Sequence, residues 1–371
     1  MSQISHLQHD LFVAASNPLL DAGRPRLRAD SCSSSTSRRI WKTCCAATRA
    51  FTPPLLLLLI GCGAAEQADP CALPRPPVMR FIHAGAVLRF QAPEGAPVQV
   101  GTAADPQAAE PDAWQDASEL GLPAVAAPTL LRVFARIRPG SCPAEAPFAF
   151  TYELREAYPP PAGQAGSTAV AAGDASIVGW ASAVEEVDLG PEVDAQWQRA
   201  EEALGPADGS STGIVSLGRG GSITLAFDPP IADGPGFDLA VFENGFLDDY
   251  LELAQVEVSS DGTRYLRFDH AFLGDEPVDA FGTLDTTRVG SLAGKYRQGF
   301  GTPFDLAVFA QAEEVRAGRV DLGAIRYVRI VDVIGDGSAL DSFGQPIFDP
   351  FPTAGSAGFD LDAVAALHAA R

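Results

Sequence analysis

The chain is patterned for strands. Short apolar or alternating stretches separated by turn residues recur at 87–90, 98–100, 130–137, 148–154, 222–227, 238–242, 254–259, 265–268, 326–333 and 359–367. Residues 254–259 alternate cleanly, with Ala254, Val256 and Val258 on one face and Gln255, Glu257 and Ser259 on the other. Ser259-Ser260-Asp261-Gly262 follows as a hairpin turn, Asp-Gly supplying the positive φ. One amphipathic helix is expected at 192–204, with Trp197, Ala200 and Leu204 on a single side and Gly205 as its C-terminal cap. Thirty prolines and 36 glycines, scattered without a repeat, fit turns that join many strands. The expected fold class is all-β with one or two short helices.

One apolar run departs from this pattern. Leu55 to Ile60, preceded by Arg38, Arg39, Lys42 and Arg49, is far shorter than the roughly 20 residues that span a bilayer, and reads as the core of an export signal. It ends in Leu59-Ile60-Gly61-Cys62, which resembles the bacterial lipobox. The resemblance implies cleavage before Cys62, lipid on its thiol, and a membrane-anchored lipoprotein of the cell envelope. Gly63 stands where an inner-membrane retention signal often places Asp, which favours the outer membrane. Residues 1–61 then form the targeting segment, in which the polar, Ser-rich stretch over residues 1–37 reads as a start assigned too far upstream, and 62–70 form a tether. Of the six cysteines, Cys32, Cys44 and Cys45 precede the cleavage point and Cys62 takes lipid, so Cys71 and Cys142 remain to form one disulfide in an oxidising compartment.

Charge narrows the partners. The net formal charge is −21; the first 61 residues hold 7 basic and 3 acidic side chains, leaving 19 basic against 44 acidic, or −25, in the rest. Such a surface repels phosphates, which excludes a nucleic-acid partner bound through a basic patch, and it suits a protein living among divalent cations.

The expected organisation is a small immunoglobulin-like β-sandwich over 71–158, a Pro-rich linker at 159–165, and a second β domain over 166–371. The stretches at 129–136 and 148–154 resemble the closing strands of chitobiase C-terminal-type modules, a family that contributes no catalytic residues. In the second domain, VSLGRGGSITLAF at 215–227, VEVSSDG at 256–262 and RYVRI at 326–330 are similar to segments of discoidin-type, galactose-binding-like jelly rolls. ALG at 203–205 and GFDLDAV at 358–364 stand where a group of secreted bacterial surface domains carries the same motifs. The resemblance implies a galactose-binding-like jelly roll whose loops take sugars, lipids or proteins.

Candidate chemistry lies in acidic loops. Asp332, Asp336, Asp341, Asp349, Asp360 and Asp362 fall within 31 positions, interspersed with Gly335, Gly337 and Gly344. Calcium takes six to eight oxygen ligands from such carboxylates and carbonyls. Asp360 and Asp362, two apart, leave one strand face about 7 Å from each other. The expected ligands are Asp332, Asp341, Asp349, Asp360 and Asp362; the competing reading is solvated acids. Calcium near the last strand is also what the jelly-roll resemblance implies. Glu243 and Asn244 at a strand end, with Tyr296 and Arg297, are candidate ligand-binding residues. Asp238 falls on the opposite strand face from Glu243, so the two do not pair unless a bulge intervenes.

Catalytic templates fit poorly. After cleavage only His83, His270 and His368 remain, none at metal-ligand spacing, which disfavours a zinc hydrolase. Residues 354–358 lack the nucleophile elbow's first glycine, and Gly218-Arg219-Gly220-Gly221 leads into a strand, which makes it a tight turn. The function expected is non-enzymatic: a surface lipoprotein with a calcium-stabilised, polysaccharide-binding jelly roll. A carboxylate-dependent glycoside hydrolase and a purely structural envelope protein are the alternatives.

Overall fold

The computed structural model describes residues 71–93, 95–142 and 146–370, which belong to one compact unit. The export signal, the tether and Cys62 lie outside the described residues. Among the described residues no helix is long and apolar enough to cross a membrane.

The expectation of an all-β chain holds. A first sheet of five strands has the order Phe81–His83, Phe148–Arg155, Thr129–Ile137, Val98–Ala103, Gln115–Asp116. Its first pair is parallel and the others are antiparallel. Val87–Arg89 and Glu119–Gly121 pair as a separate ribbon. Val100, Val133, Ala135, Phe148, Tyr152 and Leu154 fill the core of this region, as the alternation along each strand dictates. The Cys71–Cys142 disulfide closes a loop whose ends are 71 residues apart. In the chain-entropy model that constraint stabilises the fold by roughly 4 kcal/mol.

Ion pairs fasten this sheet to the later strands and loops. Arg80 pairs with Asp305 at 2.5 Å, Arg75 with Asp269 at 3.2 Å, and the Val78 N–H donates to the same Asp269 carboxylate at 2.7 Å. Tyr158 and Pro159 are buried, so the expected linker begins as packed chain.

Residues from Val170 onward form two small ribbons, Ala271–Phe272 with Val289–Gly290 and Asp336–Leu340 with Pro346–Phe348, and two main antiparallel sheets. One runs Ala183–Asp188, Ser222–Ile231, Ile325–Asp332, Ala254–Ser259, Leu266–Arg267; the other runs Val215–Ser216, Asp360–Ala366, Leu239–Glu243, Phe300–Phe304, Val170–Ala171. Ile223, Leu225, Val256, Val258, Val328 and Ile330 from the first pack in one core with Leu239, Val241, Phe304, Leu361 and Val364 from the second. Ala240, Phe242, Ala363, Ala365 and Leu367 line the outer face of the second sheet and are covered by Trp180, Ile177 and Phe237. The last strand is therefore buried on both faces, which is why it reads as a nearly unbroken apolar run.

The two sequence motifs at either end of this region meet. Gly218 and Gly220, with φ of 72° and 69°, make the tight turn before Ser222–Ile231. Asp332, at the end of the neighbouring strand, accepts the N–H of Gly220 at 2.8 Å and of Phe359 at 2.7 Å. A Cβ on Gly358 would stand 2.6 Å from that carboxylate and 2.8 Å from the Gly218 carbonyl. One buried acid thus locks the GRGG turn to the GFDLDAV strand.

The helix expected at 192–204 is absent as such. Two single-turn 3-10 segments, Ala195–Trp197 and Ala200–Ala203, stand in its place, separated by Arg199 in extended conformation (φ −88°, ψ 93°). Only Ala200 and Ala203 of these segments are buried, too small an apolar stripe to repay the nucleation of a longer helix.

Candidate functional site

The strand Leu239–Glu243 and the last strand Asp360–Ala366 end side by side. Between Phe242 and Glu243 the register slips: Phe242 faces Ala363, whereas Glu243 faces Leu361. The last strand therefore carries one extra residue at Asp362, a β-bulge. The slip puts Leu361 in the core between the sheets and Ala363 on the outer face, and Asp360 and Asp362 have different partners. Asp362 accepts the N–H groups of Asp208 and Gly209, while Asp360 accepts the Ser216 hydroxyl.

Beyond Glu243 the chain turns at Asn244-Gly245. The Gly245 N–H donates to Glu243 Oε2 at 2.7 Å, and the Gly245 carbonyl accepts from Gln298 N–H. Glu243 is 1% exposed, and its second oxygen, Oε1, is buried with no hydrogen-bond partner among the described residues. Leu251 and Leu253 are buried and pin the loop that follows, while Phe246 and Leu247 project into solvent. Glu252, between the two leucines, is buried too.

These elements enclose a cavity of about 670 Å³. Asn244, Glu252, Asp360, Thr353 and Ser356 supply its polar lining, and Phe246, Leu247, Tyr250, Phe281 and Pro352 its apolar one. Burial is the main cause that pushes the Glu243 and Glu252 carboxyls well above the usual range, with repulsion from Asp360 next. Burial likewise pushes Asp360 up to about 7. Among the described residues, no arginine, lysine or histidine lines the cavity.

The other acids singled out in the sequence are spread among separate anchors. Asp332 locks the GRGG turn to the last strand. Asp341 accepts three backbone N–H groups, from Phe272, Phe343 and Gln345. Asp349 accepts the Leu253 N–H at 2.8 Å and abuts Gly335, where a Cβ would stand 1.8 Å from its Oδ1. Among the described residues, the acids whose ligand atoms all lie within 4.8 Å of one another are instead Asp233, Asp238 and Asp305, a group able to hold a metal ion. Asp238 is fully buried there, accepting the N–H groups of Gly234 and Leu306 and pairing with His368 Nδ1 at 2.9 Å. Arg80 on Asp305 already supplies part of the countercharge.

Of the four candidate ligand residues, Asn244 lines the cavity and Glu243 is buried behind it, outside the lining. Tyr296 is buried, its hydroxyl bonded to Thr168 at 2.9 Å, and Arg297 lies over Phe300 and within 3.4 Å of Asp248. Glu252, Phe246 and Phe281 are the cavity residues that sequence reasoning missed. Glu252 lies one residue from each of two buried leucines, a pattern indistinguishable from an exposed position in an alternating strand.

No family model matches the sequence, and no curated protein matches it. A solved structure, described as the basis for the promiscuous specificity of carbohydrate-binding modules from the β-sandwich superfamily, aligns over 80% of this chain and 97% of its own. The identity is 9% and the TM-score 0.19, a superposition too loose to carry the ligand across.

Proposed function

We propose that the protein is a non-enzymatic, glycan-binding β-sandwich of the bacterial cell envelope. The observation that carries this reading is the cavity between the loops after Glu243 and before Asp360. Saccharides present alternating apolar faces and hydroxyl edges, and a site for them needs rings to stack on and fixed polar groups to orient the hydroxyls. Phe246, Tyr250 and Phe281 offer the first; Asn244, Glu252, Thr353, Ser356 and Asp360 offer the second. Envelope residence rests on the lipobox-like sequence ending at Cys62. Calcium is the ion we assign to Asp233, Asp238 and Asp305, because an all-carboxylate oxygen set suits a hard cation.

A glycan array probed with the full mature chain tests the reading, and isothermal titration of the best hit quantifies it. Phe281 is 91% exposed, so Phe281→Ala leaves the fold untouched. The variant is expected to bind about tenfold more weakly, near the upper end of what one aromatic contact is worth, at an unchanged melting temperature. An array without hits, or a Phe281→Ala protein that binds like the parent, overturns the assignment. Two buried carboxyls lining one cavity also support a second reading, a glycoside hydrolase with one carboxyl protonated as general acid. Turnover of chromogenic glycosides that is lost in Asp360→Asn would establish it.

A further inference from the structure

We propose that what this cavity recognises on its saccharide is a free, protonated amine; the inference rests on the glycan-binding reading and names the class of sugar. Glu252 and Asp360 line the cavity, Glu243 is buried close behind them, and the lining holds no cationic side chain among the described residues. The charged groups acting most strongly on Glu252 are acidic as well: Asp360, Glu243, Asp349 and Asp332. A wall of buried carboxyls facing only one another is costly, and neutral hydroxyls do not offset a buried charge. A cation does.

Three observations select the kind of cation. Glu252, 6% exposed, lines the cavity, and among the described residues nothing donates a hydrogen bond to its carboxylate, so its oxygens are left for a donor from outside the protein. The three carboxyls do not form a group with all ligand atoms within 4.8 Å, unlike Asp233, Asp238 and Asp305, so a single bare metal ion does not reach all of them at bonding distance. An amino sugar spreads its ammonium and adjacent hydroxyls over several ångströms and reaches a wider set. The exposed rings of Phe246 and Phe281, with Tyr250, give the ammonium aromatic faces, which attract cations. Acetylation of the amine removes the charge and the two donors that make this match.

The test is calorimetric titration of the full mature chain with a glucosamine oligosaccharide and with its fully N-acetylated counterpart, each in chelator and in calcium. The free-amine oligomer is expected to bind at least tenfold more tightly, with chelator present. Glu252→Gln, isosteric and neutral, is expected to reduce that preference to about threefold or less; should it fail to fold, Asp360→Asn serves, and the comparison of the two sugars on the unaltered protein needs neither. Equal or tighter binding of the acetylated sugar overturns the amine proposal and leaves the glycan reading standing. Binding of either sugar only in calcium replaces the amine with an ion. No binding of either sugar, combined with an array without hits, overturns both readings.

Discussion

Replacing Asp341 with alanine is expected to cost about 3 kcal/mol or more of stability, whether or not a chelator is present. The side chain is 6% exposed and accepts the N–H groups of Phe272 at 2.9 Å and of Phe343 and Gln345 at 2.8 Å. It thereby ties the turn before Pro346–Phe348 to the strand Ala271–Phe272. An unsatisfied buried donor costs roughly 1–3 kcal/mol, and alanine strands up to three. Equilibrium denaturation of the full chain in urea measures the loss. Asp341→Asn, which retains one acceptor oxygen, should fall between parent and alanine. A variant that unfolds at the parental midpoint would show that these bonds add nothing. A loss seen only in calcium would make Asp341 an ion ligand, as its place in the acidic sequence cluster suggests.

That contrast shows where sequence reasoning stops. Alternation placed Ala254–Ser259 to the residue, because Ala254, Val256 and Val258 enter the core from one strand face and the residue types record it. Asp261-Gly262 placed the following turn for an equally local reason: Gly262 takes φ of 75°, and Asp261 accepts the N–H groups of Thr263 and Arg264. Buried acids leave no such trace. A carboxylate that caps three amides and one that binds an ion are spelled alike, and the amides come from residues up to 69 positions away. The bulge at Asp362 was equally hidden, since an extra residue appears only when the partner strand is known. Exposure was the third blind spot. Tyr296 reads as a loop aromatic and is buried, whereas Phe281 reads as nothing in particular and stands 91% exposed on the cavity rim.

Raising the pH from 4 to 7 is expected to lower the melting temperature steadily. Burial pushes Asp238 and Asp362 up to about 6 and Asp332 and Asp360 up to about 7, from an ordinary value of 3.8. Between pH 4 and 7 these groups are protonated in the folded chain and ionised in the unfolded one. The folded state thus binds more protons, and stability falls as pH rises. The stabilising effect of protonation is full below the unfolded value and gone once pH passes the folded one. A shift of one unit corresponds to about 1.4 kcal/mol, so several groups moving together amount to a change of a few kcal/mol even after partial cancellation. Lys295 acts in the opposite sense: buried, with Nζ donating to the carbonyls of Thr286 and Val289, it is pushed down to about 7. Below that pH it is charged in both states; above it the unfolded state holds the extra proton, which opposes the decline, while Glu243, Glu252 and Asp349, raised well above the usual range by burial, prolong it. The expected profile is a decline from pH 4 to 7, read by calorimetry in low-salt buffers with chelator. A cation that ionises the cavity carboxyls should raise the melting temperature more at pH 7 than at pH 5, where it must displace protons. A melting temperature that climbs or stays level between pH 4 and 7 would mean that these carboxyls are ionised in the folded protein, held by countercharges stronger than their backbone hydrogen bonds.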